Sequence, residues 1–327
     1  MELALWLLGG LVMLVLGGEL LVRGAVQIAG RLGISPLLVG LTVVAFGTST
    51  PELVTSVQAS LAGSPGIALG NIVGSNIANV LLILGVAALL CPVAVNSRAL
   101  ARDGGLGFLA ALALLAVGLF WTMDRAVGLL LLLALIGYIV FAYRQERLAD
   151  GADHGAAYDK AEAFAAAQPP ALPLSRALGG LPGAILQLVA GLGLIVAGGA
   201  LLVDAAVTLA RALEVSEEVI GLTIIAVGTS LPELVTSVVA ALRRQADVAL
   251  GNVLGSNIYN ILGIAGATAL IAPTEVPATI ANFDAWVMVA AALLLLVVAR
   301  TGWRVGRREG GVLLACYAAY VWSAWPA

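Results

Sequence analysis

Apolar stretches long enough to cross a hydrocarbon layer, about 20 residues each, recur along nearly the whole chain and are separated by short polar breaks. The pattern predicts ten membrane-spanning helices, at 3–28, 36–61, 66–90, 103–120, 126–143, 183–209, 217–242, 247–271, 281–299 and 310–325. The first stretch has Glu2 where a secretory leader would carry basic residues, so it is expected to stay as a span. One hydrophilic stretch is long: 144–180 is rich in Ala, Pro and acidic residues and reads as a linker. It contains the single histidine, His154, among Asp150, Asp153 and Asp159, a spacing that matches no calcium loop, so a plain solvated linker is expected.

Several spans are polar at their centres, and those centres are duplicated. GLTVVAFGTSTPELVTSVQAS (40–60) agrees with GLTIIAVGTSLPELVTSVVAA (221–241) at fifteen of twenty-one positions, all shifted by 181. The same shift relates ALGNIVGSNIANVL (68–81) to ALGNVLGSNIYNIL (249–262), and GGELLVRGAV (17–26) to GGALLVDAAV (198–207). The chain therefore divides into a first five-helix repeat at 1–143, a cytoplasmic linker at 144–180 and a second repeat at 181–327. Five is odd, so the two copies insert in opposite directions. The expected fold is an all-α integral membrane protein of about ten transmembrane helices, two inverted five-helix repeats with helices 2, 3, 7 and 8 broken.

Composition agrees: 61 % of residues are hydrophobic and 11 % charged. A net charge of −3 gives no reason to expect nucleic acid. Cys91 and Cys316 share no motif spacing, so neither a disulfide nor a metal framework is expected. One Lys against fifteen Arg, with abundant Ala, Gly and Leu, suggests a GC-rich coding sequence and a bacterial inner membrane. With the N-terminus outside, thirteen basic residues fall in inward-facing loops, from Arg31, Arg98 and Arg102 to Arg307 and Arg308, while Arg125 and Arg211 face outward. That asymmetry places both termini outside.

Polar helix centres need a purpose in lipid. Pro51 has no N–H and crowds the carbonyl four residues back, so oxygens around Gly47 and Thr48 lose their helical partners. Such oxygens are tolerated at membrane depth only where they line a cavity or coordinate something. Ala45, Thr48, Ser49 and Glu52 follow i, i+3, i+4, i+7 spacing, as do Ala226, Thr229, Ser230 and Glu233 around Pro232. The next span of each repeat adds Ser75 and Asn79, and Ser256 and Asn260, each pair at i, i+4. A carboxylate at bilayer depth costs at least ~2.5 kcal/mol, and two converging ones repel unless cations or protons bind. Oxygen donors without sulfur or imidazole suit Ca2+, Mg2+ or Na+. Thr, Ser and Gly in membrane helices are more often packing contacts than ligands, but a glutamate duplicated inside both repeats outweighs that reading. Glu19 and Arg23 are expected to form a structural pair, and Glu217 and Glu218 to follow Ser216 at an ordinary helix start.

On the G-T-S-x-P-E and G-N-x-x-G-S-N segments the sequence resembles the sodium/calcium exchanger family, within the calcium/cation antiporter superfamily, and most its short prokaryotic branch. The resemblance implies alternating-access exchange of Na+ for Ca2+, with both ions as substrates, the lipid bilayer as setting and no cofactor; because the site forms within one chain, a monomer is the expected functional unit. It places the calcium site on Glu52 and Glu233 with carbonyl oxygens of Thr48 and Thr229. It places sodium sites on Ala45, Ser49, Ser75, Ala226, Ser230 and Ser256 with the same glutamates, and puts Asn79 on the family's central asparagine. It also implies that the first and sixth spans slide as a gating pair. Many family members have an aspartate where this chain has Asn260, so the pocket here holds two carboxylates. H+/Ca2+ antiport on the same scaffold is the alternative. A channel suits an inverted duplicated site less well, and an intramembrane enzyme would need a base that no His provides and an H-E-x-x-H that is absent.

Overall fold

The helices of the computed structural model, which describes residues 2–31, 47, 49–95, 100–148, 180–242 and 246–325, begin and end close to the predicted spans. They are α1 (Glu2–Arg31), α2 (Thr50–Leu61), α3 (Pro65–Leu90), α4 (Leu100–Phe120), α5 (Arg125–Leu148), α6 (Leu181–Leu213), α7 (217–242), α8 (246–271), α9 (Ile280–Arg300) and α10 (Arg307–Ala324). Among the described residues seven helices are long and apolar enough to cross a membrane, eight if the bent α7 is one span. The first half of the second predicted span, most of the linker and His154 lie outside the described residues.

Inversion of the repeats follows from one helix pair. α6 is the repeat image of α1, and the two pack antiparallel: Gly10 meets Gly198, Gly17 meets Gly191 and Gly24 meets Ala184. Backbones touch along this seam, since a Cβ at Gly17 would stand 2.8 Å from the Gly191 oxygen and one at Gly191 2.5 Å from the Leu21 nitrogen.

α3 and α8 form the centre. In each, 83 % of the apolar window is buried, against at most 44 % in the other spans that meet the same test. Small residues make this possible: a Cβ at Gly74 would lie 2.5 Å from the Leu222 oxygen, so α3 runs directly against the first half of α7 from the other repeat. The expected breaks in the third and eighth spans take the form of π-helical turns, at Asn79–Ile83 and Tyr259–Ala265. Others lie at Gly221–Ile225 in α7 and at the starts of α4 and α9. A π turn carries one residue more than the α ladder allows and is a common feature of functional helices.

Both ends of this core are clasped. Val93 and Ala94 pair antiparallel with Val305 and Arg304, and Met123 bridges to Thr274 through two backbone hydrogen bonds of 3.2 and 3.1 Å. The shift of 181 maps Val93 onto Thr274 and Met123 onto Arg304, so one clasp is the inverted image of the other. Each joins the α3–α5 group to the α8–α10 group. Inside each group a buried aspartate ties two helices: the Tyr138 hydroxyl donates to Asp103 at 3.5 Å and that of Tyr320 to Asp284 at 2.9 Å. Arg102 lies against the first aspartate, whereas the image position beside the second holds Phe283.

Candidate cation site

The site is built on two helix breaks. Pro51 and Pro232 each sit in the first turn of a new helical segment, where a missing N–H does no harm. The residues just before these segments, Ser49 and Ser230, adopt nearly the same backbone conformation, φ −92° ψ 12° and φ −84° ψ 9°. This region is sparsely populated and lets a chain change direction. In α7 the two segments meet at 46°.

That bend changes what the spacing predicts. Ala226, Thr229, Ser230 and Glu233 do not share one continuous helical face, because the axis turns at Ser230. Instead the serines cross between repeats: the Ser230 hydroxyl donates to Glu52 Oε1 at 3.1 Å, and the Ser49 hydroxyl donates to Glu233 Oε1 at 3.5 Å. The two carboxylates are 1 % and 2 % exposed. Among the described residues no third His, Cys, Asp or Glu joins them. Burying two carboxylates in one core is unfavourable without counter-charge, and hydroxyl donors compensate only part of it.

The other predicted residues that are described are buried as well. Ser75 donates to the Ala226 carbonyl at 3.4 Å, linking α3 to the break in α7. The Thr229 hydroxyl is occupied with Asn71 Oδ1 and the Ile225 carbonyl, both at 3.0 Å, which leaves its own carbonyl as the atom of interest for an ion. Asn79 donates its amide to Asn257 Oδ1 at 2.9 Å. Ser256 Oγ, Asn79 Oδ1 and Asn260 Oδ1 are buried oxygens with no hydrogen-bond partner among the described residues. Unpaired oxygens in a hydrophobic core are the groups a dehydrated cation satisfies. Ala45 and Thr48 lie outside the described residues.

Two expected structural features are present as well. Glu19 and Arg23 are hydrogen-bonded on α1, and Ser216 caps the start of α7 by accepting from the Val219 N–H at 3.4 Å. Sequence reasoning missed Asn71 and Asn252, which bond the Glu52 and Glu233 carbonyls, Asn257, which accepts from Asn79, and Asn76, whose amide bonds the Ile72 carbonyl. Their signal was available: all four belong to the duplicated G-N-x-x-G-S-N segments and reappear at the shift of 181.

The sequence profile of a family described as sodium/calcium exchanger protein matches residues 2–144 and 183–325. The chain belongs to the sodium/calcium exchanger family. Its two matched stretches correspond to the two repeats, and the family is one of transporters, with Na+ and Ca2+ as transported ions. A putative antiporter CaxA of Alkalimonas amylolytica is 40 % identical over 323 residues, covering 97 % of this chain and 96 % of the relative. A sodium/calcium exchanger MaX1 of Methanosarcina acetivorans is 38 % identical, covering 96 % of each. Among solved structures, the sodium–calcium exchanger NCX_Mj soaked with 2.5 mM Na+ and 0.1 mM Ca2+ superposes with a TM-score of 0.64 at 31 % identity, covering 100 % of this chain and 99 % of that one. This member of the family is thus a multi-pass integral membrane protein with the architecture read from its repeats.

Proposed function

We propose that the chain exchanges Na+ for Ca2+ by alternating access at the midplane, with Glu52 and Glu233 as the shared ligands of both ions. The observation that carries this reading is the reciprocal pair of Ser–Glu contacts, each joining a carboxylate of one repeat to a hydroxyl of the other. Thr48 and Thr229 add carbonyl oxygens for Ca2+. Ala45, Ser49, Ser75, Ala226, Ser230 and Ser256 add oxygens for Na+, and Asn79 and Asn260 contribute neutral amide oxygens. Ca2+ and Na+ compete because they need the same two charges. A pocket that holds two negative charges and no cation resists occlusion, so one ion leaves only as another arrives. The α1–α6 pair, packed backbone to backbone, moves as one body against the clasped core and opens the site to each side in turn.

In this reading residues 1–143 and 181–327 are the two repeats, and 144–180 is a cytoplasmic linker. Both termini face outside a bacterial inner membrane, the unit is a monomer, and no cofactor takes part. Proton-coupled Ca2+ antiport is the second reading, favoured by the two-acid pocket, which two protons neutralise as well as two Na+. Radiolabelled Ca2+ uptake into proteoliposomes preloaded with Na+, K+, Li+ or choline, with and without a pH gradient, separates the two. Uptake requiring internal Na+ is expected, and uptake that follows the pH gradient in sodium-free buffer would replace sodium exchange with proton exchange.

A further inference from the structure

Asn71 is fully buried on α3 and uses three hydrogen bonds to join residues from both repeats. Its amide nitrogen donates to the Glu52 carbonyl at 3.2 Å and to Ser56 Oγ at 2.9 Å. Its oxygen accepts from the Thr229 hydroxyl at 3.0 Å. One side chain therefore fixes the turn bearing the first-repeat carboxylate and the residue before the break in α7. The image residue, Asn252 on α8, is 1 % exposed and donates to the Glu233 carbonyl at 3.1 Å, to Thr236 Oγ1 at 2.9 Å and to Ser237 Oγ at 2.8 Å. The shift of 181 maps Asn71 onto Asn252, Glu52 onto Glu233 and Ser56 onto Ser237, so the hold on the carboxylate-bearing turn occurs twice, and at Asn71 a bond to the other repeat is added.

We infer that Asn71 and Asn252 are positioning residues that set the separation of the Glu52 and Glu233 carboxylates, and so the cation affinity, without touching the ion. The amide suits this task. It is neutral, so it adds no charge to a pocket that must reach balance with its cargo, and it presents two donors and an acceptor in one plane. Aspartate at either place would lose both donors and bring a third negative charge. Leucine would keep the volume but release the carboxylate-bearing turn, leaving it free to shift. Groups that hold a ligand in place commonly set metal affinity over roughly 10- to 100-fold.

The inference rests on the assignment of Glu52 and Glu233 to the cation site, and the test separates the two. The full-length protein, purified in detergent, would be titrated with Ca2+ while thermal unfolding is followed, for wild type, Asn71→Leu, Asn252→Leu, Thr229→Val, the double variant Asn71→Leu with Thr229→Val, and Glu52→Gln. Each asparagine variant is expected to raise the half-saturating Ca2+ concentration at least about tenfold. Thr229→Val, which removes the hydroxyl shared between Asn71 and the Ile225 carbonyl of its own helix and keeps the Thr229 backbone carbonyl, is expected to raise it by less and to add nothing on top of Asn71→Leu. It also serves if either leucine variant fails to fold. A lower unfolding temperature without Ca2+, combined with an unchanged half-saturating concentration, would make the asparagines ordinary core residues and overturn the inference. An additive Thr229→Val would do the same. Glu52→Gln should abolish the Ca2+-dependent shift; if it keeps a wild-type titration, the site assignment itself is wrong.

Discussion

At the residue scale, the arrangement predicts that charge, not shape, is what Glu52 and Glu233 provide. Gln keeps the volume and can still meet a serine hydroxyl, so Glu52→Gln or Glu233→Gln should leave the protein folded while Ca2+ uptake into proteoliposomes falls to background. Retained uptake in either variant would remove that residue from the site. Acidification should act in the same direction on the wild type: protons compete with cations for two carboxylates, so uptake should decline as pH falls, and less steeply at saturating Ca2+. Asn260→Asp turns a buried amide, whose own oxygen has no hydrogen-bond partner among the described residues, into a third acid, and should change the order of preference among Na+, Li+ and K+ as driving ions. An unchanged order would place ion preference elsewhere. The glutamates were legible in the sequence because an acid kept inside lipid in both repeats has little use there except to hold a cation or a proton. The exchange of serines between repeats was not, since it depends on a bend whose size no local pattern sets, and Asn71 and Asn252 were marked only by their recurrence at the shift of 181.

At the element scale, helix positions were legible to within a few residues because the hydrocarbon layer imposes a minimum apolar length on every span. The π turns were not. NVLLI and GLTII are unremarkable helical sequences, and nothing in their local pattern marks an extra residue. Close packing also yields a contrast within one helix. A Cβ at Gly191 would stand 2.5 Å from backbone of α1, whereas one at Gly193 would meet nothing within 4 Å. Gly191→Ala should therefore destabilise by about 1–3 kcal/mol, and Gly193→Ala should be neutral or stabilising by up to ~1 kcal/mol. Thermal unfolding in detergent checks both, and equal effects would mean that the α1–α6 seam is looser than its geometry implies.

At the scale of the whole molecule, the odd number of spans per repeat let the inversion be read from sequence, and the antiparallel α1–α6 pair supplies its structural counterpart. The two strand clasps could not be read, because pairs as short as Val93–Ala94 and Arg304–Val305 carry no alternation to detect. Their position bears on biosynthesis. Val93 leaves the ribosome long before Val305 exists, so the pairing closes only when nearly all of the chain has been made. Until then the connection after α3 has no partner, and the first repeat is an unfinished body held in the membrane by its neighbours. A chain truncated after Gly302 should be cut by protease between α3 and α4 in isolated membranes, where the full-length chain resists. Equal resistance would show that the strand pair contributes little. A duplication that began as two like halves has thus become one translational unit, in which the first half reaches its final form only after the second has been made.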